Sequence, residues 1–283
     1  MGVIQVKKYS GEMEAFDMNK LVNSLRRSQV DESLVQQIAH EVEGNIEDGM
    51  TTKKIYQMAF RMLKSRARVS ASRYKLKKAL MELGPSGYPF EKFVGKVLQY
   101  EGFEVEVGVL VKGDCVQHEV DVIAQKGNRH YMIECKYHSD QGRFCNVKIP
   151  LYIQSRFLDV QKQWEKQEGH KNKSHQGGVY TNTRFTSDAT HYGNCVGLML
   201  TSWDYPKGKA LKNRIDTAGL HPLTSLTTIT KSEKSKLLEH GIVLCREIKD
   251  NPDVLKKVGI DGARRKKILA DSQSLCETHQ PNT

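Results

Sequence analysis

The sequence predicts a multi-domain α/β protein, and three observations carry that prediction. Helical periodicity fills residues 1–84 apart from a short β-like run at the start. A helix, a strand, a hairpin and then helix, strand, helix, strand follow to residue 206, the pattern of a mixed sheet flanked by helices. From 207 to 283 the chain turns basic and then helical. At 283 residues there is length enough for two or three domains, each with its own core. The divisions expected are 1–84, 85–206 and 207–283, the first falling at Gly84-Pro85-Ser86-Gly87.

The opening run VIQVKKYSGEMEAF reads as a hairpin turning at Ser10-Gly11. Asp17 is placed to cap a helix whose apolar face is Leu21, Val22 and Leu25, with Arg26 and Arg27 at its C-terminus. A second helix starts near Asp31 and carries Leu34, Val35, Ile38 and Val42; a third spans 52–64 with Ile55, Met58, Ala59 and Leu63. A fourth is expected over 70–83, with Tyr74, Leu76, Ala79 and Leu80. Next come a helix over 89–102, a strand over 103–111 and a hairpin around Lys126-Gly127-Asn128-Arg129. A helix over 151–168, a strand at 178–181, a helix at 187–193 and a strand at 196–201 complete the sheet. Beyond Leu220 two helices are expected, joined at Gly259-Ile260-Asp261-Gly262.

Charge and cysteine usage narrow the function classes. The net charge of +11 divides as +5 over 1–84, zero over 85–205 and +6 over 206–283, so both flanks suit a polyanion. The start lacks an apolar leader, and no stretch approaches a membrane span, so a cytoplasmic protein is expected. Six scattered cysteines with no C-x-x-C pair and no nearby His spacing suggest neither a zinc site nor a disulfide framework; they are expected reduced and mostly buried. There is no G-x-x-x-x-G-K-[ST] loop, so ATP hydrolysis is not expected.

The hairpin HEVDVIAQKGNRHYMIECKYH (118–138) places carboxylates in apolar strands. Alternation puts Glu134 and Lys136 on one face, with Ile133, Cys135 and Tyr137 on the other. Cross-strand pairing brings Asp121 towards Glu134. Two buried like charges are costly unless a cation lies between them, and Mg²⁺, or Mn²⁺, is the hard cation that takes carboxylates, waters and a substrate phosphate. Lys136 would lie beside the metal-bound water.

A helix bearing Glu91, then a strand, then D…E-x-K on a hairpin, then a helix, resembles the PD-(D/E)xK nuclease superfamily. FEKFVGKVLQYEGFEVE with VDVIA and ECKYH is similar to its Mrr-like restriction endonuclease branch, over about residues 88–206. The resemblance implies Asp121 and Glu134 as metal ligands, Lys136 as the catalytic lysine, Glu91 as an accessory carboxylate and Gln154 as a polar residue completing the site. Glu119 stands two residues before Asp121, where the superfamily motif has Pro, and is a competing ligand. His118 and His138 read as flanking polar residues.

VKKYSGEMEAFDMNKL, GMTTKKIYQMAF and ASRYKLKKAL together resemble an ATP-cone, a small regulatory nucleotide-binding domain, over residues 3–83. That resemblance implies a phosphate contact for Lys7, Lys8 and Lys20. It assigns the base and ribose region to Glu14, Phe16 and Asp17, and closure of the pocket to Thr52 and Tyr56, with ATP or dATP as ligand. The turn is Lys-Lys-Tyr-Ser-Gly, one residue longer than the family's Lys-Arg-(Asp/Asn)-Gly. Residues 220–276 are similar to a helix-hairpin-helix pair: Gly259 and Gly262 would let backbone N–H groups reach a DNA phosphate, with Arg264, Arg265, Lys266 and Lys267 following.

The expected function is a Mg²⁺-dependent, restriction-type DNA endonuclease regulated by nucleotide, with a homodimer favoured if both strands are cut. Two alternatives stand beside it: a non-catalytic nucleotide-responsive DNA-binding regulator, and a repair or structure-specific nuclease.

Overall fold

The structure is a computed structural model that describes residues 4–170 and 172–277. It is a mixed α/β fold, as the sequence predicts.

Residues 4–83 form a two-stranded antiparallel hairpin, β1 (Gln5–Lys7) and β2 (Met13–Ala15), followed by α1 (Met18–Arg26), α2 (Glu32–Glu43), α3 (Thr52–Arg66), α4 (Arg68–Tyr74) and α5 (Leu76–Met81). Each of the first three helices is started by a side chain that accepts a first-turn N–H: Asp17 from Asn19, Asp31 from Ser33, and Thr51 from Lys54. Leu25, Val35, Ile38, Val42 and Leu63 form their fully buried core. The single helix expected over 70–83 is two, α4 and α5. The break falls at Lys75, whose ammonium is turned inward to Glu82 (2.6 Å) and the Thr224 carbonyl (3.0 Å).

The middle of the chain runs α6 (Tyr88–Tyr100), β3 (Glu104–Lys112), β4 (Gln117–Lys126), β5 (Arg129–Lys136), β6 (Phe144–Cys145), α7 (Lys148–Glu165), β7 (Ser174–Thr181), β8 (Arg184–Phe185), α8 (Ser187–Cys195) and β9 (Met199–Thr201). The main sheet has the order β3-β4-β5-β7-β9; its first three strands are antiparallel and β5, β7 and β9 parallel. Helix α6 packs Phe90, Phe93, Val94 and Val97 on one face of the sheet, and α7 packs Phe157, Val160 and Trp164 on the other. Helix α7 begins three residues earlier than expected, because Pro150 in a first turn forfeits no hydrogen bond. The loop expected after β5 contains β6, which pairs in parallel with β8 in a small second sheet.

The last part contains α9 (Leu211–Ala218), α10 (Lys231–Glu239), α11 (Cys245–Asp250), α12 (Val254–Lys257) and α13 (Gly262–Cys276). The helix expected before Gly259 is broken into α11 and α12 at Asn251-Pro252, where proline cannot continue the ladder. Thr230 and Glu233 cap α10 reciprocally. The α6-side core also takes in Leu76, Leu80 and Leu83 from before the Gly84-Pro85 break, and Leu211, Ile215 and Leu244 from beyond residue 206. Arg68 and Asp271 add an ion pair between α4 and α13 (3.1 Å).

Candidate functional site

One glycine and one fork in the sheet position the carboxylates. Along β3, Val105 and Val107 pack with the α6 cluster, whereas Val109 and Val111 pack with the α7 cluster. Residues of one parity therefore change faces, and the change falls at Gly108, whose φ of +65° lies in the left-handed region that a side chain makes costly. On β4 the switch is repeated: Val120 belongs to the α7 cluster and Val122 to the α6 cluster. Asp121 stands between them, opposite Gly108 by register.

The β4–β5 ladder begins at Val122↔Ile133, while β5 stays paired to β7 as far as Lys136↔Thr181. At this fork the Asp121 carboxylate takes the place of a main-chain acceptor and receives the Cys135 N–H at 2.7 Å. Glu134, 6% exposed, lies directly beyond. Its two oxygens are each met by a cation: Lys136 Nζ on Oε1, and Arg156 Nη1 on Oε2 at 2.7 Å. This notch lies at the C-terminal end of parallel β5, the end at which open α/β sheets bind ligands.

Electrostatics follow from burial and crowding. Burial, then the Glu134 charge, pushes Asp121 up to about 6, against the Cys135 N–H. Burial, then Asp121, Glu134 and Glu119, raises Glu91 on α6 to about 7. Burial alone would lower Lys136, but the hydrogen bond and charge of Glu134 outweigh it and the net shift is upward, so the ammonium stays protonated. The carboxylates of Asp121 and Glu134 are oxygen donors of the kind a hard divalent cation takes, and Glu91 senses their charge without forming with them a group of three metal-spaced donors. Gln154 on α7 has a buried Oε1 with no hydrogen-bond partner; two residues before Arg156, it does not share that side chain's face of the helix.

Sequence reasoning missed Arg156. Besides Glu134 it donates to the Glu119 carbonyl and lies over the Tyr152 ring at 5.4 Å. A cation–aromatic pair at i, i+4 on α7 was the available signal, but nothing in the sequence aimed it at β5. His118 is held by Asp159 at 2.7 Å, and His138 by Asn182 and Cys145.

The eight residues expected to meet a nucleotide separate into groups. Glu14 draws Lys8 (2.8 Å) and Lys20 (3.5 Å) together, Asp17 caps α1, Phe16 packs on the N-terminal core, and the Lys7 N–H is bonded to the Met50 carbonyl. Thr52 and Tyr56 instead line a cavity of about 580 Å³ shared with Lys77, Lys78 and the loop Ser139–Gln141 that follows β5. Tyr56 stacks on Tyr74 at 5.0 Å and leaves its buried Oη without a partner. Tyr9 reaches from the β1–β2 turn to the same loop and donates to Asp140.

In the C-terminal part, Gly259 and Gly262 have φ of +79° and +59° and face open space. Arg264 is committed in two-pronged fashion to Glu233, and Arg265 pairs with Asp253 at 2.9 Å. Lys266 and Lys267 are exposed on α13 and take part in no ion pair among the described residues.

Known relatives cover about two thirds of the chain. The chain is an α/β protein that carries an ATP cone domain, whose family matches residues 4–83; residues 221–276 match the family described as AF1548-like, C-terminal. An uncharacterized protein of Archaeoglobus fulgidus is 32% identical over 183 residues, 64% of this chain and 99% of that protein. The chain belongs to this AF1548-like family. A solved structure titled as the protein of unknown function AF1548 superposes with a TM-score of 0.55 at 31% identity, over 68% of this chain and 98% of that one. MspJI restriction endonuclease in complex with a 27-mer oligonucleotide reaches only 0.34 at 12% identity, over 71% of this chain and 39% of its own, a likeness that carries nothing about function. No helix among the described residues is long and apolar enough to cross a membrane.

Proposed function

We propose that the chain is a divalent-metal-dependent DNA endonuclease of the PD-(D/E)xK type, Mrr-like, with an ATP-cone as its regulatory module. The observation that carries the reading is the convergence of Asp121, Glu134 and Lys136 at the fork between β4 and β5, with Glu91 close enough for its carboxyl to feel both acids. Asp121 and Glu134 would hold the Mg²⁺ or Mn²⁺, which when bound supplies an activated water and neutralises phosphate charge. Lys136 keeps its proton and presents an ammonium to the phosphate oxygen on which negative charge grows. Glu91, half-protonated near neutrality, is placed to take or give a proton at the edge of the site. Arg156 holds Glu134 in position and would yield one of its oxygens when the site is loaded.

Nucleotide, ATP or dATP, would act as a regulatory ligand. Thr52, Tyr56 and the lysines Lys77 and Lys78 around the 580 Å³ cavity are the groups that support its placement, and the loop 139–141 leads from there back to Lys136. DNA would be gripped through backbone phosphates by the Gly259–Gly262 turn with Lys266 and Lys267. Arg264 and Arg265 could add to the grip only by leaving Glu233 and Asp253.

A specific observation favours one rival: Lys136 and Arg156 already neutralise Glu134, as in a non-catalytic nucleotide-responsive DNA-binding regulator. Incubating purified protein with plasmid and with methylated DNA, with Mg²⁺ or Mn²⁺ and with or without ATP, separates the two. Metal-dependent cleavage that Glu134→Ala abolishes supports the enzyme; DNA binding with no cleavage under every condition supports the regulator.

A further inference from the structure

Three histidines far apart in sequence meet at the other end of the sheet. His130 on β5 and His175 on β7 are direct partners across the parallel ladder, and the 3-10 turn Glu168–His170 after α7 brings up the third. One ring nitrogen of each lies within 4.8 Å of the other two, and His130 Nδ1 is 3.1 Å from His175 Nδ1. The buried Trp164 ring closes one side, 4.2 Å from the His130 ring, 5.1 Å from His175 and 5.8 Å from His170. Aromatic packing accounts for those ring contacts. It leaves unexplained that His170 Nδ1 is buried with no hydrogen-bond partner, a desolvation cost without return.

We propose that His130, His170 and His175 form a site for one divalent transition-metal ion of the zinc class, with water in the remaining position. Imidazole nitrogens about 2.0–2.1 Å from a tetrahedral ion stand roughly 3.3 Å apart. The His130–His175 pair is already at that spacing, and a small rotation of His170 on its surface turn closes the rest. Three neutral imidazoles select Zn²⁺, Co²⁺, Ni²⁺ or Cu²⁺ over Mg²⁺, the reverse of the oxygen cluster around Asp121. Four residue steps along β5 separate His130 from Glu134, about 13 Å of strand, so the two sites are distinct and this one does not depend on the nuclease reading. The ion would pin the turn after α7 to β5 and β7, stapling the crossover that also carries Arg156.

The test is a titration of chelator-treated full-length Trp203→Phe protein with Ni²⁺, followed by the fluorescence of the remaining Trp164. One equivalent should quench saturably, Zn²⁺ should compete, and millimolar Mg²⁺ should not. His170→Ala, on a surface turn, should weaken binding about tenfold or more. Its melting temperature without metal should match the parent chain, and Zn²⁺ should raise that temperature only in the parent. Glu134→Gln should leave the titration unchanged. Absence of saturable quenching, or identical titrations for the parent chain, His170→Ala and His175→Ala, would overturn the proposal.

Discussion

Asp121 is held by one hydrogen bond and opposed by one charge, and that balance makes it the most informative single residue in the molecule. With folded values of about 6 and 7, Asp121 and Glu91 hold protons that the unfolded chain has released by pH 5. Between about pH 4 and 7 these two groups bind more protons in the native state than in the unfolded one, so their contribution to the stability of the metal-free protein falls as pH rises, against the opposite contribution of the buried His130 and His221. Asp121→Asn keeps the acceptor for the Cys135 N–H and removes the charge. It should remove the Asp121 share of that pH dependence and raise the neutral-pH melting temperature while abolishing Mg²⁺ binding, measurable by thermal melts and calorimetry. A variant that melts lower at pH 7 would show that the buried, crowded Asp121 charge is not a net cost to the metal-free fold. Lys136→Met should leave metal affinity near that of the parent and slow cleavage about 10²–10³-fold; equal rates would remove Lys136 from the chemistry. Asp121, Glu134 and Lys136 were legible in the sequence because charges inside apolar strands are expensive. Arg156 and the three histidines were not, since their partners are set by which helix turn or strand register faces them, a tertiary property.

At the level of elements, Gly108 decides which way β3 and β4 present their side chains. Any substitution there forces a β-carbon into φ of +65°; Gly108→Val should cost at least about 1–2 kcal/mol by thermal or urea unfolding. It should also straighten the face switch that exposes Asp121, lowering Mg²⁺ affinity. Unchanged stability would mean the strand accepts the extended conformation and that the switch is not fixed by glycine. Helix starts were readable from Asp17, Asp31 and Thr51, because a cap is a local hydrogen bond written in adjacent residues. The break between α4 and α5 at Lys75 was not readable. Leu76, Ala79 and Leu80 keep a helical period across it, and the partners of the Lys75 ammonium, Glu82 and Thr224, come partly from residues about 150 positions away. The β6–β8 pair is two residues long on each strand, too short for any period to register.

Across the whole molecule, the core under α6 takes side chains from all three stretches of the chain, so the ATP-cone and the C-terminal helices share a packed centre with the sheet. The ion pair of Arg68 with the buried Asp271 reinforces that junction. Asp271→Ala leaves a half-buried guanidinium unpaired and should cost about 1–3 kcal/mol, read as a drop in the urea midpoint. No change would assign the junction to apolar packing alone. Because the 580 Å³ cavity joins α3 and α5 to the loop after β5, ATP should protect Ser139–Gln141 from hydrogen exchange along with Thr52 and Tyr56. Protection confined to the β1–β2 hairpin would place the nucleotide elsewhere in the cone.

The central claim is that the carboxylate fork cuts phosphodiester bonds, and the most direct measurement is single-turnover DNA cleavage at saturating Mg²⁺ by the parent chain and Glu134→Gln side by side. The parent should convert substrate to 5′-phosphate products while Glu134→Gln, folded to the same melting profile, leaves it intact. Equal rates in the two, or no conversion by the parent on any DNA it binds, would contradict the claim.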